Sequence, residues 1–211
     1  MFFTNFDFYS SLNLSSMRMF ENNCVLPRKR FYGQIDDLEK NFMFNFVREI
    51  CPKSIVEFST SHGYSTAIIA SSLKSRNIQS NFKTYEIDLK SFALAFNNLD
   101  SLELYGINMI VGDVLSTMDE KTLDDADFLF IDSDHRREFC YSYVDSFFPH
   151  LKKDCWVAVH DIWFDPINDE TSLIVQYLKD TNNNKYFFIR DLLEMYSIES
   201  KEPNGTLWFK V

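Results

Sequence analysis

Two short stretches carry the residue types from which a reactive site can be built: Phe128–His135, reading FLFIDSDH, and Val157–Asp161, reading VAVHD. Each is an apolar run that stops abruptly at acidic and imidazole side chains. Such a run reads as a buried parallel strand delivering its last residues to the carboxyl edge of a sheet. In open α/β sheets that edge is where ligands sit. Asp132 and Asp161 are 29 residues apart, with a helix-length segment between them. Two strand ends would then present Asp132, His135, His160 and Asp161 to a common crevice. Carboxylates with imidazoles can hold a divalent cation, and an imidazole can take a proton.

A second set begins at Ile55-Val56-Glu57-Phe58-Ser59-Thr60-Ser61-His62-Gly63-Tyr64-Ser65-Thr66. An acid, then small residues in a tight turn, then a helix start, is the form of a loop whose backbone approaches a nucleotide. Ser59 and Ser61 stand where a G-x-G-x-G loop places its first two glycines, and Gly63 keeps the third. Read alone, the segment also suits a plain turn capped by Ser65 or Thr66. Two further strand ends agree with the nucleotide reading. Glu86 closes Thr84-Tyr85-Glu86 23 residues after Gly63, where a carboxylate can accept from both ribose hydroxyls. Asp113 follows Gly112 at the end of a third strand, where it can meet an adenine amino group.

The elements that must position these residues alternate. A helix spans 34–50 on the spacing of Ile35, Leu38, Phe42, Phe46, Val47 and Ile50, closed by Pro52. Strands follow at 54–58, 82–86, 107–111, 126–131 and 155–160, with helices at 63–74, 89–99 and 138–151. A helix over 172–178 precedes strands at 186–189 and 206–211, the last entered through Pro203-Asn204-Gly205. No helix is expected between those two strands, so one should run antiparallel. The pattern predicts a mixed, mostly parallel seven-stranded sheet with helices on both faces.

The succession VEFSTSHGYST, TYEID, GDV, FIDSDH and VHD resembles class I S-adenosylmethionine-dependent methyltransferases. It is most similar to the branch of macrolide-sugar O-methyltransferases and cephalosporin-hydroxylase-like proteins, with similarity to catechol-type O-methyltransferases. The resemblance covers about residues 34–162 well and the last strands loosely. It implies a Rossmann-like α/β domain over 34–211 that binds S-adenosyl-L-methionine. Glu57, Ser59, Gly63, Ser65 and Thr66 would surround the methionine and ribose of the cofactor, with Glu86 on the ribose and Asp113 at the adenine. Asp132, His160 and Asp161 match the positions that bind a divalent metal such as Mg or Mn, and His135 matches a proposed general base. Two departures stand out: the serines in the glycine loop, and an imidazole at 160 where those relatives have a carboxylate.

The chemistry can be argued without the family. A sugar or alcohol hydroxyl is a poor nucleophile at pH 7, so a base must take its proton or a metal must lower its pKa. His135 would be the base, unless it only opens the next helix and pairs with Asp134 or Glu138. The expected function is metal-assisted O-methyl transfer to a small hydroxylated molecule such as a sugar. Two rivals are a ligand-binding protein of the same fold without transfer activity and, with less support, a nicotinamide dehydrogenase. Trp163, Phe164 and Tyr196 are candidates for stacking on a substrate ring or for packing in the core.

The 211 residues carry a net charge of −10, and the longest basic run is Arg28-Lys29-Arg30. That balance argues against a nucleic-acid partner, which needs clustered Lys and Arg. No signal peptide or membrane span is legible, so a cytoplasmic protein is expected. Four scattered cysteines lack a C-x-x-C spacing, and Cys140 and Cys155, in apolar helix and strand contexts, read as reduced buried thiols. Residues 1–33 form an arm dense in aromatic and Met side chains, including Phe2, Phe3, Phe6, Phe8, Tyr9, Met17, Met19 and Phe20. Such an arm should cover the body of the chain, a second subunit or a substrate, so a homo-oligomer is one expectation.

Overall fold

Apolar periodicity and turn chemistry set the element order. The computed structural model describes residues 4–12, 16–27, 31, 35–119, 121–162, 169–200 and 205–211. In chain order the elements are α1 (Phe6–Ser11), α2 (Asp37–Ile50), β1 (Ser54–Phe58), α3 (Tyr64–Ser75), β2 (Asn81–Glu86), α4 (Leu89–Ser101), β3 (Ile107–Val111) and α5 (Val114–Thr117). They continue with α6 (Lys121–Asp124), β4 (Phe128–Ile131), α7 (Arg137–Ser146), β5 (Trp156–His160), α8 (Asp169–Asp180), β6 (Tyr186–Phe188), α9 (Ile189–Met195) and β7 (Thr206–Lys210). The strands form the expected seven-stranded mixed sheet, in the order β3-β2-β1-β4-β5-β7-β6. The chain divides into two units, one of Ser16–Met118 and one of Met1–Ser15 with Asp119–Val211.

In the first unit, Asp36 starts α2 because its carboxylate accepts from the Leu38 and Glu39 amides at 2.7 and 2.8 Å, satisfying two orphan donors of the first turn. Cys51, in the left-handed conformation, ends the helix just before Pro52. The apolar face of α2 buries Phe42, Phe46 and Val47, and the helix packs on α3. Burying side chains of this size contributes roughly 1.5–3 kcal/mol each. β2 pairs in parallel with both β1 and β3. The 3₁₀ turn Met17–Phe20 lies on α2, with Phe20 5.3 Å from the Phe42 ring. Asn45 of α2 fastens it by donating to the Met19 and Glu21 carbonyls, both at 3.0 Å.

In the second unit, β4 and β5 are parallel, and β7 runs antiparallel to both β5 and β6. β4 and β5 are buried along their whole length, which is why both read as unbroken apolar runs. Trp208 of β7 stacks between Phe128 and Phe187, with centroids 5.6 and 6.4 Å away. α1 closes on β6: Thr4 Oγ1 donates to Asp191 at 2.6 Å, the Asn5 amide donates to the Tyr186 carbonyl, and Tyr9 is buried against Phe187. Tyr9, Met19 and Phe20 of the arm are thus buried on their own chain, whereas Phe6, Met17 and Val25 are exposed; residues 4–12 belong to one unit and residues 16–27 to the other. Phe2 and Phe3 lie outside the described residues.

Two expectations are corrected. A helix, α9, does stand between β6 and β7; it buries Ile189, Leu192 and Leu193 at the i, i+3, i+4 spacing. Its seven residues are too few to show a period that stands out from the strand before it. The helix expected over 138–151 stops at Ser146, and Pro149 turns the chain into a short 3₁₀ segment, Phe148–His150. No helix among the described residues is long and apolar enough to cross a membrane.

Candidate active site

The loop after β1 keeps the backbone of a glycine loop although two of its glycines are serines. Ser59 has φ +67° and Ser61 +48°, both in the left-handed region that normally favours glycine. Gly63, at φ +85°, is the N-cap of α3, and a Cβ there would stand 3.2 Å from Ala95 Cβ of α4. Gly63 thus serves both the turn and the close approach of two helices. Neither Ser65 nor Thr66 caps α3; both lie inside it, buried. Thr66 instead donates from Oγ1 to Glu57 Oε2 at 2.7 Å, tying α3 to the end of β1. Glu57 is fully buried near the end of β1.

Glu86 ends β2 and organises the same loop. Its Oε2 accepts the Ser61 amide at 2.6 Å and its Oε1 accepts the Asp88 amide at 2.9 Å. Each carboxylate oxygen can accept a second bond, so a ribose hydroxyl can still be received. Thr60 and Thr84 hydroxyls meet at 2.6 Å behind the loop. Asp113 is the N-cap of α5, with Oδ1 accepting the Leu115 amide at 3.0 Å. The candidate cofactor residues on the three strand ends are all in the unit of Ser16–Met118.

The second unit gathers Asp132, His135, His160 and Asp161. His160 ends β5, is buried, and places Nδ1 3.3 Å from both Asp132 Oδ1 and Asp161 Oδ1. Asp132, His135 and Asp161 each offer one donor atom within a 4.8 Å span. The structure brings these four residues together, but the three whose ligand atoms share that span are Asp132, His135 and Asp161, while His160, expected as a ligand, stands beside the two carboxylates as a hydrogen-bonding neighbour. Asp161 has φ +57°, a conformation that Asp tolerates better than most residues. Desolvation pushes the Asp132 carboxyl up, but the charge and hydrogen bond of His160, with the charge of His135, outweigh it and hold the group below its ordinary range.

His135 does not pair with Asp134 or Glu138, and α7 begins two residues after it. Asp134 is taken by the Arg136 guanidinium. His135 Nδ1 lies 2.6 Å from Glu170 Oε2 on α8, and the Tyr143 hydroxyl of α7 donates to Glu170 Oε1 at 2.5 Å. The hydrogen bond that the imidazole donates to Glu170 raises its pKa above the ordinary value; desolvation opposes this, while the Glu170, Asp132 and Asp161 charges reinforce it. Burial, then the Glu170 charge, pushes the Tyr143 hydroxyl far up, so it stays a donor. Glu170 and Tyr143 escape sequence reasoning. An acid in the first turn of a helix reads as a solvated partner of the helix dipole, and nothing local links it to His135, 35 residues away. The stacking candidates Trp163 and Phe164 lie outside the described residues, and Tyr196 caps α9.

Known proteins resemble this chain in fold and family. The methyltransferase domain family matches residues 56–162, which run from the first strand to just past the second acidic strand end. No curated protein sequence matches the chain. Among solved structures, an O-methyltransferase from Bacillus cereus in complex with SAH is similar with a TM-score of 0.61 and 16% identity, covering 87% of this chain and 84% of that one. The O-methyltransferase TomG from Streptomyces achromogenes, in complex with SAM, gives 0.59 and 14%, covering 84% and 82%. A SAM-dependent O-methyltransferase from Thermotoga maritima gives 0.62 and 14%, covering 86% and 67%. The seven-stranded sheet has the fold of these methyltransferases, and the match over residues 56–162 gives the class, a methyltransferase. The chain belongs to the methyltransferase domain family.

Proposed function

We propose that this protein transfers the methyl group of S-adenosylmethionine to a hydroxyl oxygen of a small molecule, such as a sugar, with help from a divalent cation. The observation that carries the reading is an imidazole, His135, gathered with two carboxylates and backed by a buried acid. Oxygen nucleophiles need a proton removed; that constellation removes protons. The solved structures of similar fold described as O-methyltransferases support the same choice of acceptor atom.

Asp132 and Asp161, with an imidazole at 135 whose ligand atom lies within 4.8 Å of theirs and another at 160 beside them, offer a cation a donor set. Ligand atoms about 2.1 Å from an ion lie roughly 3.0–3.4 Å from one another, and His160 Nδ1 stands 3.3 Å from both Asp132 Oδ1 and Asp161 Oδ1. Asp132, His160 and Asp161 would hold the ion, and an imidazole among them favours Mn over Ca. When bound, the sulfonium supplies an electrophilic methyl and the cation lowers the pKa of a coordinated hydroxyl. His135 takes the hydroxyl proton. Glu86 receives the ribose hydroxyls, Asp113 the adenine end, and the loop of Ser59, Gly63, Ser65 and Thr66 lies along the methionine part, with Glu57 holding it from below.

The test is release of S-adenosylhomocysteine from S-adenosylmethionine with Mg or Mn and a panel of catechols, hydroxycinnamates and hydroxylated sugars. Turnover of at least one acceptor, lost on adding chelator, is expected. Tight binding of S-adenosylhomocysteine with no turnover of any acceptor would instead favour a ligand-binding protein without transfer activity.

A further inference from the structure

We propose that Glu170 is the positioning residue of His135: it fixes the Nδ1–H tautomer of the imidazole and so leaves Nε2 as the atom that accepts a proton. The proposal deepens the reading of His135 as the base and rests on that reading.

The geometry is that of a buried acid committed to one imidazole. Glu170 is 1% exposed, sits in the first turn of α8, and gives one carboxylate oxygen to His135 Nδ1 at 2.6 Å. Its other oxygen accepts the Tyr143 hydroxyl at 2.5 Å. A carboxylate that accepts from both sides cannot rotate to follow a moving ring. Nδ1, facing an acceptor, must be the nitrogen that carries hydrogen. A neutral imidazole has one donor and one acceptor nitrogen, so the lone pair falls to Nε2.

The alternative, that Glu170 merely satisfies Tyr143 in the core, leaves the His135 contact unexplained. A carboxylate out of water is costly unless its bonds are made. Tyr143 packs at 5.6 and 5.4 Å from the Phe139 and Phe148 rings, so its ring is fixed within the core. His135 itself is partly exposed, 36% by its side chain, so one end of the ring is wet while the other is anchored. An acid holding an imidazole in one tautomer makes the ring a directional base, as in hydrolase triads, where losing the acid selects the wrong tautomer.

The experiment is nitrogen-15 NMR of the histidine rings in the full chain, with His135 assigned by His135→Gln, together with steady-state kinetics on the best acceptor of the panel above. At a pH above the raised pKa of the imidazole, where the ring is neutral, His135 in the native chain should show a protonated Nδ1 and a bare Nε2. Glu170→Gln, of equal size, should mix or reverse the tautomers and lower kcat on the order of 10²–10⁴-fold with little change in KM for S-adenosylmethionine. A native His135 protonated on Nε2, or Glu170→Gln with an unchanged tautomer, overturns the proposal. Should Glu170→Gln fail to fold, Tyr143→Phe decides, because it releases the carboxylate's other oxygen. A shifted or broadened Nδ1–H resonance supports the proposal, and an unaltered one overturns it. The ring spectrum needs no acceptor, so a failure of the methyl-transfer reading shows in the kinetics alone and is distinct from a failure of this pairing.

Discussion

The Ser61 amide donates to Glu86 Oε2 at 2.6 Å, so the carboxylate expected to hold a ribose also holds the loop in front of it. One side chain would therefore set both the ligand contact and the shape of the surface around the ligand.

Glu86→Ala should accordingly lower S-adenosylhomocysteine affinity and stability together. Removing a charged acceptor of two backbone amides costs on the order of 1–3 kcal/mol in stability. A similar loss is expected in binding, about tenfold or more. Calorimetry and urea unfolding on the same sample check this; a variant of unchanged stability would show that the loop stands without Glu86.

The loop's serines predict an unusual gain. Ser59→Gly should stabilise the protein by about 0.5–1 kcal/mol, because the left-handed conformation costs about 1–2 kcal/mol for a residue with a Cβ, offset in part by glycine's greater chain entropy. Gly63→Ala should do the opposite, since the new Cβ would meet Ala95 at 3.2 Å in a strained conformation. Thermal melts of the two variants should move in opposite directions.

The cysteines give a pH prediction. Burial pushes the Cys155 thiol up to about 12 and the Cys24 thiol to about 11, while Cys51 is exposed. A folded-state pKa above the unfolded value of about 8.5 means the native state retains protons the unfolded chain releases. That stability is whole below about pH 8.5 and is lost as pH climbs toward the folded values. Urea midpoints should fall between pH 8.5 and 11, and Cys155→Ala should flatten the slope. Native protein should expose one fast-reacting thiol at pH 8, at Cys51, and all four once unfolded.

A cation, if Asp132, His160 and Asp161 hold it, should be removable by chelator and restored more readily by Mn than by Ca. Asp161→Asn suits the left-handed backbone and should weaken Mn binding at least about tenfold, the scale seen for loss of even an outer-shell partner. Binding should fade below about pH 6, where ligands must shed protons before they coordinate. Calorimetric titration with MnCl₂ reads each effect.

What the sequence disclosed and what it hid follow from range. Strand ends are local events: an apolar run meeting Asp132 or His160 announces itself, and so the sheet and most of the site were legible. The loop's character was legible only in part, because Ser59 and Ser61 hide a glycine-like backbone behind side chains that usually avoid it. α9 was hidden by brevity. Glu170 was hidden by distance, since the partner of His135 is chosen by how α7 and α8 meet, and no spacing rule spans that turn.

The clasp between residues 4–5 and the region of β6 and α9 has a consequence for assembly in time. Thr4 meets Asp191 across 187 positions of sequence, and Asn5 meets Asn184 across 179. Loop-closure entropy grows only logarithmically with length, so the added equilibrium penalty over a shorter loop is modest, about 0.6 kcal/mol per doubling. The kinetic penalty is larger, because contacts of such high order form late. Residues 16–118 are contiguous and can organise while the chain is still emerging from a ribosome. The unit that joins residues 4–12 to β6 must wait until β6 and α9 have been made, leaving Tyr9 and its aromatic neighbours without their burial site until then, so that a chaperone or a second nascent chain could reach them first.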